Sequence, residues 1–501
     1  MRMEIFRKIS LLALLFSSPG FAQELTTYLP EWSGYASGQY VPYAFDGSYT
    51  NSWHSNTKVS NADMVMKAQL SDVLVYSFLQ VWNHNSTKSQ QFTVPANWDG
   101  HLHFDDVWGN LPNQTATEYP TWKDFCTAAP AGTCSAIQQD CSSGSCHLNL
   151  LDFNNLDIGQ LNNFGAFLNL PTSARKIIAI GGANTPDNQS VGYDTFQAIF
   201  ANETEFLNSL FYFKLHAVGL NGIDYDFEPP INADGSQKNP DNTTLQDYAN
   251  LFKLVKDTRD KLGPNTYISV TITTNEDYLE SINHSIPDGW FAQIAQYVNA
   301  INIMTYDMHG PWSSTEDPGA ISHAMLQNLS LIDFSKYAIK YSIADVVTKV
   351  IGYGLPANKL QIGIAAYGRG FAGVEAGATS YPGFAQPWTS ASKFPEQFSQ
   401  QAGLLPYKFV QAVLAGQAGG NYQTYDINEQ NHVIASYLYS TDTKQLVGYM
   451  SPGLVKSLCQ YAKDSQLQGA ILWSMDMDAN DLDQGISLIK TYSDACRVLS
   501  N

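Results

Sequence analysis

Basic residues are scarce in this sequence. Lys and Arg total 27 against 46 Asp and Glu over 501 residues, a formal net charge of −19. A surface of that sign repels phosphates and acidic headgroups, which excludes nucleic acid and anionic membrane as expected partners. Long apolar runs are missing too. Beyond residue 22 no stretch is long and apolar enough for a membrane helix. No repeat of fixed period and no low-complexity linker occurs, which excludes solenoid and array architectures. Charged residues make up only 15% and apolar residues 44%, which excludes a disordered chain. Cysteines number six. Cys126, Cys134, Cys141 and Cys146 crowd one stretch, while Cys459 and Cys496 stand near the C-terminus. That spacing suggests two local bridges and one C-terminal bridge, although connectivity stays open, as does a zinc site in the first group. His101 and His103 have no third ligand spaced to join them and read as loop histidines. No metal and no cofactor is expected.

Residues 1–22 have the form of a secretory leader. Arg2, Arg7 and Lys8 precede a short apolar run, and Gly20 and Ala22 are small residues at the −3 and −1 positions. Cleavage after Ala22 and export as a soluble protein are expected, and a monomer is expected.

Strand-like runs alternate with helix-like runs along the rest of the chain. Strands are expected at 25–32, 72–81, 176–180, 219–228, 267–273, 300–306, 360–367 and 469–473. Helices are expected at 156–170, 193–216, 245–262, 290–298, 337–353, 454–462 and 482–492. Eight strands with interleaved helices predict an α/β fold, a (β/α)8 barrel. Two connections are too long for a bare barrel. Residues 82–150 follow the second strand, and about 371–448 separate the seventh strand from the last ones. The latter carries a helical run at 407–414 and strand-like runs at 422–427, 433–439 and 445–449, an inserted α+β subdomain. Both leave from the C-terminal ends of strands, where barrel active sites lie.

The fourth strand ends Asp224-Tyr225-Asp226-Phe227-Glu228. Alternation turns Asp224, Asp226 and Glu228 to one face, about 6–7 Å apart along the strand. Carboxylates that close disfavour joint ionisation, so at least one holds a proton, as a general acid must. Other strand ends add Met304-Thr305-Tyr306-Asp307, Tyr367-Gly368-Arg369 and Trp473. Acids, hydroxyls and aromatics on one rim suit sugar rings, whose faces stack while their hydroxyls hydrogen-bond.

With these residues the chain resembles glycoside hydrolase family 18, the chitinases and their relatives. The family signature DGxDxDxE stands here as Asn221-Gly222-Ile223-Asp224-Tyr225-Asp226-Phe227-Glu228, MxYD as Met304-Thr305-Tyr306-Asp307, and YGR as Tyr367-Gly368-Arg369. Gly310-Pro311-Trp312 and Trp473 follow in the expected order. The resemblance implies substrate-assisted hydrolysis of chitin or N-acetylglucosamine oligosaccharides. Glu228 would be the proton donor, Asp226 the partner of the acetamido N–H, Asp224 the group that tunes Asp226, and Tyr306 a contact to the acetamido oxygen. Met304, Asp307, Trp312, Tyr367, Arg369, Trp473, Tyr76 and Phe78 would bind substrate. Ala179 stands where the family's third-strand motif has Ser, Ala183 where an aromatic often follows, and Pro229 where many members have Tyr. A sugar-binding lectin and an endo-β-N-acetylglucosaminidase acting on glycoprotein glycans are the alternative readings.

Overall fold

A computed structural model of the chain describes residues 23–30, 62–81, 99–100, 102–104, 163–183, 191–232, 237–313, 319–327, 342–377, 380–399, 401–479 and 486–496. The expected leader at 1–22, His101 and the cysteines from Cys126 to Cys146 lie outside the described residues.

The first half comprises β1 (Glu24–Pro30), α1 (Ala62–Leu70), β2 (Val73–Val81), β3 (Leu102–Phe104), α2 (Asn163–Leu168), β4 (Arg175–Gly181), α3 (Val191–Ala201), α4 (Glu203–His216) and β5 (Leu220–Asp226). Then come α5 (Asn242–Leu262), β6 (Tyr267–Ile272), α6 (Glu276–His284), α7 (Trp290–Ile294), β7 (Ala300–Ile303), α8 (Ile343–Gly352) and β8 (Leu360–Ala365). The chain continues through β9 (Tyr367–Ala372), β10 (Ser390–Ala391), β11 (Leu404–Pro406), α9 (Val410–Leu414), β12 (Gln423–Glu429), β13 (His432–Ser440) and β14 (Gln445–Tyr449). It closes with α10 (Pro452–Asp464), β15 (Gly469–Trp473) and α11 (Leu488–Cys496).

Eight of these strands, parallel throughout, close into a barrel in the order β1-β15-β8-β7-β6-β5-β4-β2, with β2 pairing back to β1 and β3 added antiparallel on β2. Both faces of the strands are buried, as near-continuous apolar sequences such as 73–81 require. The core therefore has two layers. Tyr28, Val73, Val75, Ile177, Ala179 and Ile471 fill the barrel, and a larger apolar shell lies between strands and helices. Register brings Ala179, Asp224, Ser269 and Ala300 level on β4, β5, β6 and β7.

The helices start and stop on local chemistry. Asp241 and Thr244 form a capping box at the head of α5, and Gly263 at φ 82° ends it. Tyr248, Leu251, Leu254 and Val255 turn its apolar side to the sheet. Ser342 and Asp345 cap α8, and Ser451 followed by Pro452 starts α10. The expected helix at 193–216 is two helices, broken at Asn202. The helix α6, unanticipated in so polar a segment, starts where Asn275 accepts the amides of Asp277 and Tyr278. The Cys459 and Cys496 sulfurs lie 2.11 Å apart between α10 and α11.

Between β8 and α10 the chain builds a second, antiparallel sheet in the order β10-β9-β14-β13-β12, with β11 also on β9. It begins at Tyr367. The seventh barrel strand ends at Ala365, and the Ala366 amide donates to the Trp473 carbonyl at 2.8 Å before the chain changes sheets. Tyr367 and Arg369 thus belong to the second sheet rather than to the end of a barrel strand. Residue alternation continues across Ala366, so the pattern carried no mark of the change. Among the described residues no helix is long and apolar enough to cross a membrane.

Candidate active site

Asp224 is fully buried inside the barrel. Its carboxylate accepts Tyr28 Oη–H at 2.8 Å, Ser269 Oγ–H at 2.6 Å, Thr271 Oγ1–H at 3.0 Å and the Asn302 side-chain amide at 3.3 Å. Burial raises its proton affinity, and these donors pull it back. Ala179, on the β4 side, offers no hydroxyl; the donors come from β1, β6 and β7.

Asp226, two residues on, is 3% exposed, and its Oδ1 has no hydrogen-bond donor among the described residues. Burial, the Glu228 charge and the Asp224 charge together raise it well above the usual carboxylate range. The Asp226 carbonyl accepts the Gly182 amide at 3.0 Å. A Cβ on Gly181, at φ 103°, would lie 2.3 Å from that carbonyl, so the close approach of β4 to β5 needs glycine.

Glu228 stands just past the strand end and is partly open. The Phe227 amide, donating to the Thr271 carbonyl at 3.0 Å, carries the β5 register that far. Burial first, then the Asp307 charge, push the Glu228 carboxyl up to about 7. The outward residues Tyr225 and Phe227 anchor the strand: Tyr225 Oη is 2.6 Å from Thr258 Oγ1, and Phe227 packs edge-on against Tyr248 at 5.0 Å.

The turn after β7 presents Tyr306 and Asp307. It is tied to β8 by Thr305 Oγ1, which accepts the Gly363 amide at 2.7 Å. A side chain at 363 would strike the Tyr306 ring. Tyr306 is 8% exposed, and burial, then Tyr367, Asp226 and Glu228, raise its hydroxyl. Asp307 has φ 56°, in the left-handed region. Its carboxylate accepts Arg369 Nε–H at 2.8 Å, Arg369 Nη2–H at 2.6 Å and Tyr367 Oη–H at 2.8 Å. Burial alone would push Asp307 up, but the Arg369 guanidinium holds it well below the usual range. The same guanidinium lies over the Trp312 ring, 5.0 Å from its centroid.

Trp473, at the end of β15, stacks on Phe78 at 5.5 Å and tilts against Tyr28 at 5.7 Å. Met304 packs against both layers of the core. Tyr76 is a correction. It is fully buried on the outer face of β2, against Phe164 and Phe167 at 5.3 and 5.1 Å, with no face toward the barrel mouth. Sequence reasoning could not see this, because the strand is apolar apart from Ser77 and Gln80, and alternation has no consistently polar side to mark. It also missed Tyr28, Ser269, Thr271, Asn302 and His323. Ser269, Thr271 and Asn302 carry a weak signal, as polar residues inside the otherwise apolar strands β6 and β7.

The family model for glycosyl hydrolases family 18 matches residues 46–478. The chain belongs to that family. Among family 18 relatives, chitinase A of Pseudoalteromonas piscicida is 26% identical over 304 residues, 56% of this chain and 36% of its own. Chitinase A1 of Niallia circulans is 26% identical over 336 residues, 64% of this chain and 43% of its own. The chain thus spans less than half the length of these two relatives. Chitinase ChiA74 from Bacillus thuringiensis shares the fold, with a TM-score of 0.63 at 18% identity over 95% of this chain and 70% of its own. Among the described residues no group of three or more His, Cys, Asp or Glu could hold a metal ion.

Proposed function

We propose that this chain hydrolyses the β-1,4 bonds of chitin and N-acetylglucosamine oligosaccharides with retention, through an oxazolinium intermediate. The observation that carries this reading is one pair. The Glu228 carboxyl is pushed up to about 7, and beside it the buried Asp226 presents an oxygen without a donor among the described residues. A proton donor next to an acceptor for an amide N–H suits an acetamido sugar. The curated relatives named chitinase add support from the family side.

In this reading Glu228 gives its proton to the glycosidic oxygen as the C1–O bond breaks. The substrate's own acetamido carbonyl oxygen bonds to C1 in its place. Asp226 accepts the acetamido N–H and balances the positive charge of the ring, with Asp224 and its donors behind it. Tyr306 donates to the acetamido oxygen. Water then adds to C1, loses a proton to the Glu228 carboxylate, and both the acid and the acetamido group are restored. Trp473, on its Phe78 and Tyr28 support, floors the subsite of the reacting sugar. Trp312 and Arg369 line the far side. The leader-like segment 1–22 supports export, and the Cys459–Cys496 approach supports an oxidising compartment.

The test is Glu228→Gln assayed on chitin and chito-oligosaccharides. A loss of about 10²–10⁴-fold or more in kcat with oligosaccharide binding retained is expected. Near-normal turnover overturns the assignment. Release of glycans from a high-mannose glycoprotein without any release from chitin favours the endo-glycosidase reading, and equal cleavage of a 2-hydroxyl analogue rules out the acetamido route.

A further inference from the structure

One buried histidine is unused by this chemistry. His323 lies on the segment 319–327, which runs between the β7 turn and the second sheet. Its backbone is held from both sides. The Met308 amide donates to the His323 carbonyl at 3.0 Å, the Ala320 amide to Gln386 at 2.8 Å, and the Leu326 amide to Ile434 at 2.8 Å. The imidazole is fully buried, with its ring 5.3 Å from that of Tyr367. Nδ1 accepts the Asp307 amide at 3.2 Å and lies 3.1 Å from Asp307 Oδ1.

For Nδ1 to accept the Asp307 amide it must carry no proton, which puts the ring proton on Nε2; an Nδ1–H ring would instead donate to the Asp307 carboxylate. Nε2 is buried with no partner among the described residues. A phenyl ring would fill the same space without an unmet donor, so volume does not explain a histidine here. The bond it makes does. Asp307 is a non-glycine residue in the left-handed region, a conformation that needs outside support. The His323 ring clamps the amide of that residue while Arg369 and Tyr367 take its carboxylate.

We propose that His323 is a positioning residue, locking the left-handed turn at Asp307 so that its carboxylate holds Arg369 over Trp312. Contact with the substrate is left to the residues of that arm. The inference rests on the chitin-hydrolase reading for its kinetic readout. The charged and titratable groups facing Asp307 are Arg369 and Tyr367 from β9, His323 from the segment behind, Tyr306 beside it, and Glu228 from the end of β5. A turn that loosens carries the Asp307 charge away from Glu228, whose proton is then released at lower pH.

The experiment compares His323→Phe, which keeps the ring volume, with His323→Asn, whose side-chain carbonyl reaches the place of Nδ1. His323→Phe is expected to raise KM for chito-oligosaccharides at least about tenfold. It should also move the basic limb of the kcat/KM profile to lower pH, while Asn restores both. Unchanged KM and pH profile in the Phe variant overturns the proposal, as does an Asn variant that behaves like Phe. Nitrogen NMR of the histidine rings in the wild-type protein gives a readout that needs no turnover. An Nε2–H tautomer for His323 is expected at neutral pH, and an Nδ1–H tautomer overturns the proposal even if the wild type proves inactive on chitin. Wild-type inactivity on chitin with the Nε2–H tautomer present would count against the chitin reading and for the clamp.

Discussion

Asp224 and Asp307 carry the same side chain into opposite electrical surroundings. Asp224 sits in the barrel among neutral donors: one tyrosine, one serine and one threonine hydroxyl, and one side-chain amide. Asp307 sits where the barrel meets the second sheet and faces a guanidinium in a two-point grip. Burial raises both, yet only Asp307 ends far below the usual range. Neutral dipoles temper the cost of burying a carboxylate, whereas a full opposite charge reverses it. The consequence is a division of labour. Proton affinity is raised along Asp224, Asp226 and Glu228, and burial together with the Asp307 charge across from it raises Glu228.

Removing the cation should break this contrast most. Arg369→Met leaves the half-buried Asp307 beside an apolar chain, a change worth about 1.5–3 kcal/mol, the usual worth of hydrogen bonds to a charged group. Thermal unfolding should show a drop of a few degrees, and Trp312 fluorescence should lose its response to oligosaccharide. Retention of wild-type stability would mean that Asp307 is neutralised by other means.

A pH series sharpens the comparison. Glu228 is raised from 4.5 to about 7 in the folded chain. A raised carboxyl binds its proton more tightly folded than unfolded, so its contribution to stability is full below pH 4.5 and is lost as pH rises toward 7. Asp307 runs the other way: its contribution is present above its unfolded value and is lost only in strong acid. The unfolding midpoint of the wild type should therefore carry a downward slope between pH 4.5 and 7 that flattens in Glu228→Gln. Equal slopes in the two proteins would contradict the raised carboxyl.

The smallest effect expected is at Ser269. Ser269→Ala removes one of several donors to Asp224 and should cost about 1 kcal/mol in stability. It should also raise the proton affinity of the acid line, read as a modest upward move of the acid limb of the activity profile. A loss as large as that of Glu228→Gln would mean that Ser269 does more than hold Asp224.

Much of this was legible from residue order. Period-two alternation brought Asp224, Asp226 and Glu228 to one face, and the helix expected at 245–262 is present, starting three residues earlier at Asn242 behind its Asp241 cap. Tyr76 and Tyr367 were not legible. Tyr76 sits in a strand buried on both sides, where hydrophobicity has no preferred face. Tyr367 follows a sheet change made at Ala366 by a bond to Trp473, more than a hundred residues away. Nor could His323 be seen as a partner of Asp307, because nothing local to either residue calls for the other.

What the sequence by itself determined is therefore what short-range rules control: the barrel's strands and helices, the line of acids, and the motifs that resemble family 18. Tertiary structure alone decided the charge states. A carboxyl's proton affinity depends on which donors and ions lie within a few ångströms, and those come here from strands and loops far apart in the chain. The same side chain is thus raised at 224 and held as a fixed anion at 307, for reasons that exist only once the barrel and the second sheet meet.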